Sequence, residues 1–103
     1  MARTRVSHYR LTPAAEADMT DIWTYTAATW SADQADLYLR GLDEKLGTLC
    51  QTPHIARERL EIVPPVRLHP YGSHLIIFQV VDDHLAVLRI VHSRQNWQEF
   101  LSS

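Results

Sequence analysis

Arg89, His92 and Arg94 lie in the segment AVLRIVHSRQNW, residues 86–97, where an apolar run gives way to a histidine flanked by two arginines. A histidine titrates near neutral pH, so it can act as general base or acid while arginines beside it grip a phosphodiester. The same side chains can act as hydrogen-bond donors to an acidic partner segment, or simply form the polar rim of a sheet. On a regular strand residues 90, 92 and 94 face one way and 89, 91 and 93 the other. His92 and Arg94 then share a face that Arg89 does not. Arg67 and His74, from neighbouring strands, can join one of these faces.

Other chemistries find less support. His69, His74, His84 and His92 fall at no metal-ligand spacing, and neither Cys-x-x-Cys nor His-Glu-x-x-His occurs. Three glycines leave no room for a phosphate-cradling loop. No metal or cofactor is therefore expected. Cys50, the single cysteine, follows Leu49 on a packed helical stripe, where cysteine behaves as a small hydrophobe. With no internal disulfide to form, a reducing cytoplasm is the expected compartment.

The 103 residues suffice for one domain with one modest core. Apolar stretches such as LIIF are far shorter than the roughly 20 residues that cross a bilayer, so no membrane association is expected. The basic start MARTRVSHYR lacks the apolar run of a secretory signal. A formal charge of −2 and a pI near 6.3 argue against bare nucleic acid as the main ligand. Charge is unevenly spread. Glu16, Asp18, Asp21, Asp33, Asp36, Asp43 and Glu44 gather in 13–44 with only Arg40 against them, while the other arginines occupy 3–10 and 57 onward.

These residues must be held by a small set of elements. Residues 6–12 alternate as a short strand. Thr12-Pro13 is a helix start, a capping hydroxyl followed by proline at the first helical position. Ala15, Met19, Ile22, Trp23, Thr26 and Trp30 follow one helical stripe, which places Trp23 and Trp30 in the core and leaves Tyr25 exposed. Ser31 caps a second helix, with Ala35, Leu39, Leu42, Leu46 and Leu49 on its buried face and Thr52-Pro53 closing it. So short a break makes the pair an antiparallel hairpin. Residues 53–65 read as a loop with room for one helical turn. Strands follow at 66–71, 73–81 and 84–92, the last two joined by Asp82-Asp83. NWQEFL supplies a final helical turn or two. The expected fold is α+β, ordered β-α-α-β-β-β, with the helical hairpin packed on a small antiparallel sheet centred on 73–92.

With these elements in place the chain resembles the ParE toxins of the RelE/ParE superfamily of toxin–antitoxin systems. The resemblance runs from about Tyr9 to Trp97. It is carried by Leu11-Thr12-Pro13-Ala14-Ala15, Asp21-Ile22-Trp23-x-Tyr25, Trp30 with Gln34-Ala35-x-x-Tyr38, Gly72-Ser73-His74-x-Ile76-x-Phe78 and Leu88-Arg89-Ile90-Val91-His92-x-Arg94. It implies a toxin that binds and poisons DNA gyrase without being an enzyme. It also implies a ParD-like antitoxin whose C-terminal segment wraps the toxin in a hetero-oligomer. From the charge balance, no direct binding of nucleic acid is expected. Arg67, His74, Arg89, His92, Arg94 and Trp97 are then the target-binding candidates, and Trp23, Tyr38 and Leu85 the antitoxin-binding ones. The RelE branch shares the fold and cleaves mRNA on the ribosome; on that alternative His92 is the base and Arg94 and Arg67 grip the phosphate. His74 stands where the ribonuclease branch carries an arginine, and Trp97 has no proton to transfer, which favours ParE. Two positions depart from the ParE pattern, Ala56 in place of glycine and Phe78-Gln79-Val80 in place of Phe-Tyr-Arg. A toxin reduced to binding its antitoxin is a third reading.

Overall fold

A computed structural model describes residues 6–101; residues 1–5, the start of the basic N-terminal segment, lie outside that range. The order is β1 (His8–Leu11), α1 (Pro13–Thr29), α2 (Ala32–Gln51), a 3-10 turn (Pro53–Ile55), β2 (Arg57–Arg59), β3 (Val66–Tyr71), β4 (His74–Val81), β5 (His84–His92) and a second 3-10 turn (Trp97–Phe100). One five-stranded sheet runs β1-β5-β4-β3-β2, so the β4–β5 hairpin is its centre, as the apolar runs predict.

Both helices begin where their caps place them. Ala15 N–H donates to Thr12 Oγ1 at 3.0 Å, and Gln34 N–H donates to Ser31 Oγ at 3.0 Å. Leu42, Leu46 and Leu49 of α2 meet Ile76, Phe78, Leu85, Val87 and Ile90 of the sheet, all essentially fully buried. The sheet's other face holds a smaller cluster of Val66, Ile77 and Val91, covered by Leu68, Leu75, Trp97 and Phe100. Cys50 is buried, as its place on the stripe requires.

Three expectations are corrected. The sheet is mixed, because β1 pairs in parallel with β5 (His8 beside His84, Leu11 beside Val87). The supposed loop 53–65 contains β2, a charged Arg57-Glu58-Arg59 triplet held by backbone pairing to Val66–Leu68 and carrying no apolar alternation to betray it. The stripe of α1 is shorter than its spacing promised. Ala15 and Ile22 are buried, but Trp23 is 38 % exposed and Trp30, at the hairpin tip, 75 %. Trp23 lies across the two helices with Nε1–H donating to Asp36 Oδ1 at 2.8 Å. Tyr25 is exposed, as expected.

Candidate functional site

β1 covers only the first part of β5, ending beside Val87. Beyond that point the edge of β5 would leave backbone groups unpaired, a costly state inside a fold. The start of α1 takes over. Thr12 Oγ1–H donates to Leu88 O at 2.8 Å, and Asp18 Oδ2 accepts Ile90 N–H at 2.9 Å. In the same stretch the β4–β5 register slips: Phe78 faces Val87 while Ile77 faces Arg89, leaving Leu88 as an extra residue in β5. Such a bulge re-aims the side chains around it. Arg89 consequently reaches Asp18, with Nε to Oδ2 at 2.7 Å and Nη2 to Oδ1 at 2.8 Å. Its guanidinium also lies 4.9 Å from the centre of the Phe100 ring. This two-point ion pair joins α1 to β5.

A cleft of about 350 Å³ opens against that joint. Asp18, Asp21, Ile22, Tyr25 and Thr26 line one wall from α1, at the i, i+3, i+4, i+7, i+8 spacing of a single helix face. His74, Arg89 and His92 form the other wall, with Gln95 and Phe100 at the rim. His74 and His92 are direct cross-strand neighbours, their rings edge to face with centroids 5.5 Å apart.

Each histidine is fixed from behind. His74 Nδ1 and Tyr38 Oη lie 2.8 Å apart, and Tyr38 Oη also accepts Ser73 N–H and faces Tyr71 O, both at 3.1 Å. Tyr38 has one hydroxyl proton. All three contacts are satisfied when that proton goes to Tyr71 O and His74 donates from Nδ1. Burial, reinforced by His92 and opposed by Asp18, pushes the His74 pKa below the ordinary imidazole value, so the ring is neutral at physiological pH. His92 Nδ1 accepts Arg94 N–H at 3.1 Å, which leaves Nε2 to carry the proton of the neutral ring. Burial raises the Tyr38 phenol, so it stays protonated.

Of the residues singled out in the sequence, the cleft gathers His74, Arg89 and His92. Arg94 follows on the exposed turn after β5. Arg67 stands elsewhere. It pairs with Phe78 four residues from Tyr71, the β3 residue in the His74–His92 row, which is roughly 13 Å along the strand. Its Nη1 donates to Ala56 O at 2.8 Å. A phosphate-gripping trio of His92, Arg94 and Arg67 is therefore not assembled. Trp97 packs with the cluster on the far face of the sheet, Arg59 lying 5.3 Å from its ring centre. Among the antitoxin candidates, Trp23 and Tyr38 are partly exposed, but Leu85 is fully buried between sheet and helices and has no surface to offer. Sequence reading overlooked Asp18, Tyr25 and Phe100. The helical spacing of Asp18, Asp21 and Tyr25 is the signal that marks their shared face of α1.

The family described as "ParE toxin of type II toxin-antitoxin system, parDE" matches residues 9–97 of this chain. The chain is 36% identical over 91 residues to Toxin ParE1 of Mycobacterium tuberculosis, covering 87% of this chain and 93% of that protein. To Toxin ParE1 of Caulobacter vibrioides it is 30% identical over 88 residues, 85% of this chain and 91% of the other. A solved structure titled "Chromosomal ParDE TA system from P. aeruginosa" shares the fold with a TM-score of 0.71 at 22% identity, covering 87% of this chain and 98% of that one.

Proposed function

We propose that this chain, which belongs to the ParE toxins of type II toxin–antitoxin systems, inhibits DNA gyrase by binding it and is neutralised by a ParD-like antitoxin. The observation that carries this reading is the charge arrangement of the cleft. Cutting RNA calls for a titrating base beside cations that hold the phosphate. Here Arg89 is taken up by Asp18, Arg67 stands at the far end of the strand, and Asp18 and Asp21 put carboxylates on the wall a phosphate would approach. Arg94 alone, on the exposed turn, remains beside His92. A cleft of paired histidines, two carboxylates and an aromatic rim suits recognition of a protein surface. His74, His92 and Arg94 are then docking residues, and inhibition follows from binding one state of the topoisomerase better than another. On this reading the site of action is the cytoplasm, because the proposed target acts on chromosomal DNA. Among the described residues no helix is long and apolar enough to cross a membrane.

The antitoxin reading rests on the hairpin. Trp23, Tyr25, Trp30 and Leu37 expose apolar surface along the two helices, amid the acidic residues of 13–44. A disordered antitoxin tail that folds onto this surface buries it and places its own cations against the acids. Trp30→Ala is expected to weaken antitoxin binding roughly tenfold or more while leaving the melting temperature of the free toxin unchanged, since large aromatics dominate such interfaces.

Expression without antitoxin tests the gyrase reading in cells. It should arrest growth with accumulating chromosomal breaks, and His92→Ala should weaken the arrest only modestly. Growth arrest with intact chromosomes, mRNA cut at ribosomes, and complete loss of both in His92→Ala would establish the ribonuclease alternative instead.

A further inference from the structure

At the start of β5, away from the cleft at its end, the parallel register sets His8 directly beside His84. Their rings stack with centroids 5.7 Å apart and planes inclined by 21°. Asp83, in the turn before β5, brings Oδ1 to 3.7 Å from His84 Nδ1. One donor atom from each of His8, Asp83 and His84 lies within 4.8 Å of the others. We propose that these three side chains bind a divalent zinc-like cation, which clips the first strand to the β4–β5 turn.

The donor set selects the ion. Two imidazoles and a carboxylate favour Zn²⁺, Cu²⁺ or Ni²⁺ over Mg²⁺ or Ca²⁺, which prefer all-oxygen shells. Tetrahedral Zn²⁺ with bonds of about 2.0–2.1 Å places its ligand atoms roughly 3.3 Å apart. The His84–Asp83 pair is already near that spacing. The backbone beneath is fixed, because Ser7 donates to Asp83 O from both its N–H at 3.0 Å and its hydroxyl at 2.9 Å. The His84 side chain is only 17% exposed, whereas Asp83 at 76% has open space in which to close on an ion. On His8 the ion replaces one of two contacts: Ser7 Oγ at 2.8 Å from Nδ1, or Arg10 Nε at 3.3 Å from Nε2. The Arg10 charge opposes a cation, so the affinity belongs in the micromolar range. Water completes the shell.

Calorimetric titration of ZnCl₂ into the untagged full chain, near neutral pH in a non-chelating buffer, tests the site. One ion per chain is expected. His8→Ala and His84→Ala should each weaken binding roughly tenfold or more, and His69→Ala, on β3, should leave it unchanged. Saturating Zn²⁺ should raise the melting temperature of the wild type by about 5 °C but not that of either site variant. If His84→Ala fails to fold, Asp83→Asn on the exposed turn supplies the same comparison. Absence of saturable uptake, or uptake that survives in the site variants, would overturn the proposal.

Discussion

Asp18 does three jobs with one carboxylate, accepting twice from Arg89 and once from Ile90 N–H. Removing it unpairs a partly buried guanidinium and a strand-edge amide together. Asp18→Ala should cost about 2–3 kcal/mol, and Arg89→Ala about 1–2 kcal/mol because Asp18 keeps the amide. Chemical denaturation of both variants checks this; equal losses would mean the Ile90 contact contributes nothing. His74 makes stability depend on pH. Its folded pKa is depressed by burial and by His92, so the unfolded chain binds the proton more readily. The stability it contributes is present above the ordinary imidazole value near 6.5 and is lost as pH falls through the lower folded value. His69, depressed by burial and Lys45, adds to the same trend. Unfolding free energy should thus fall from pH 7 toward 5. His74→Gln should flatten that fall without abolishing it, as denaturant titrations at several pH values will show.

At the scale of elements, the β3–β4 turn is tied to α2 by aromatic contact. Gly72 has φ +53°, and a Cβ there would lie 2.5 Å from Tyr38 Oη and 2.9 Å from its ring. Gly72→Ala therefore meets backbone strain and a clash with a side chain held by its own hydrogen bonds. A loss of about 2–4 kcal/mol is expected, read as a fall in melting temperature of roughly 10 °C or more. An unchanged melting temperature would mean the turn does not need this close approach. The elements themselves were largely legible in the sequence, because Thr12-Pro13, Ser31 and the leucine spacing of α2 act locally. Pairing was not legible. Nothing near His8 announces a partner 76 residues away, so both the parallel β1–β5 ladder and the His8–His84 pair escaped notice. The bulge at Leu88 was hidden for the same reason, and with it the turn of Arg89 toward Asp18. Trp23 and Trp30 misled because helical spacing marks a stripe without saying how far a sheet extends beneath it.

For the whole molecule, the acidic hairpin with its exposed aromatics and the histidine cleft at the end of β5 form adjoining surfaces, since α1 contributes Tyr25 to both. An antitoxin laid along the hairpin would thus also crowd the cleft, which gives neutralisation a simple steric basis. On the proposed reading the chain acts on gyrase by binding, through that cleft. Supercoiling and DNA-cleavage assays of purified gyrase with the purified chain, alone and with its antitoxin, test it most directly. Inhibited supercoiling with trapped cleaved DNA is expected, relieved by antitoxin and weakened by changes at His74, His92 and Arg94. Undisturbed gyrase at micromolar toxin would contradict it.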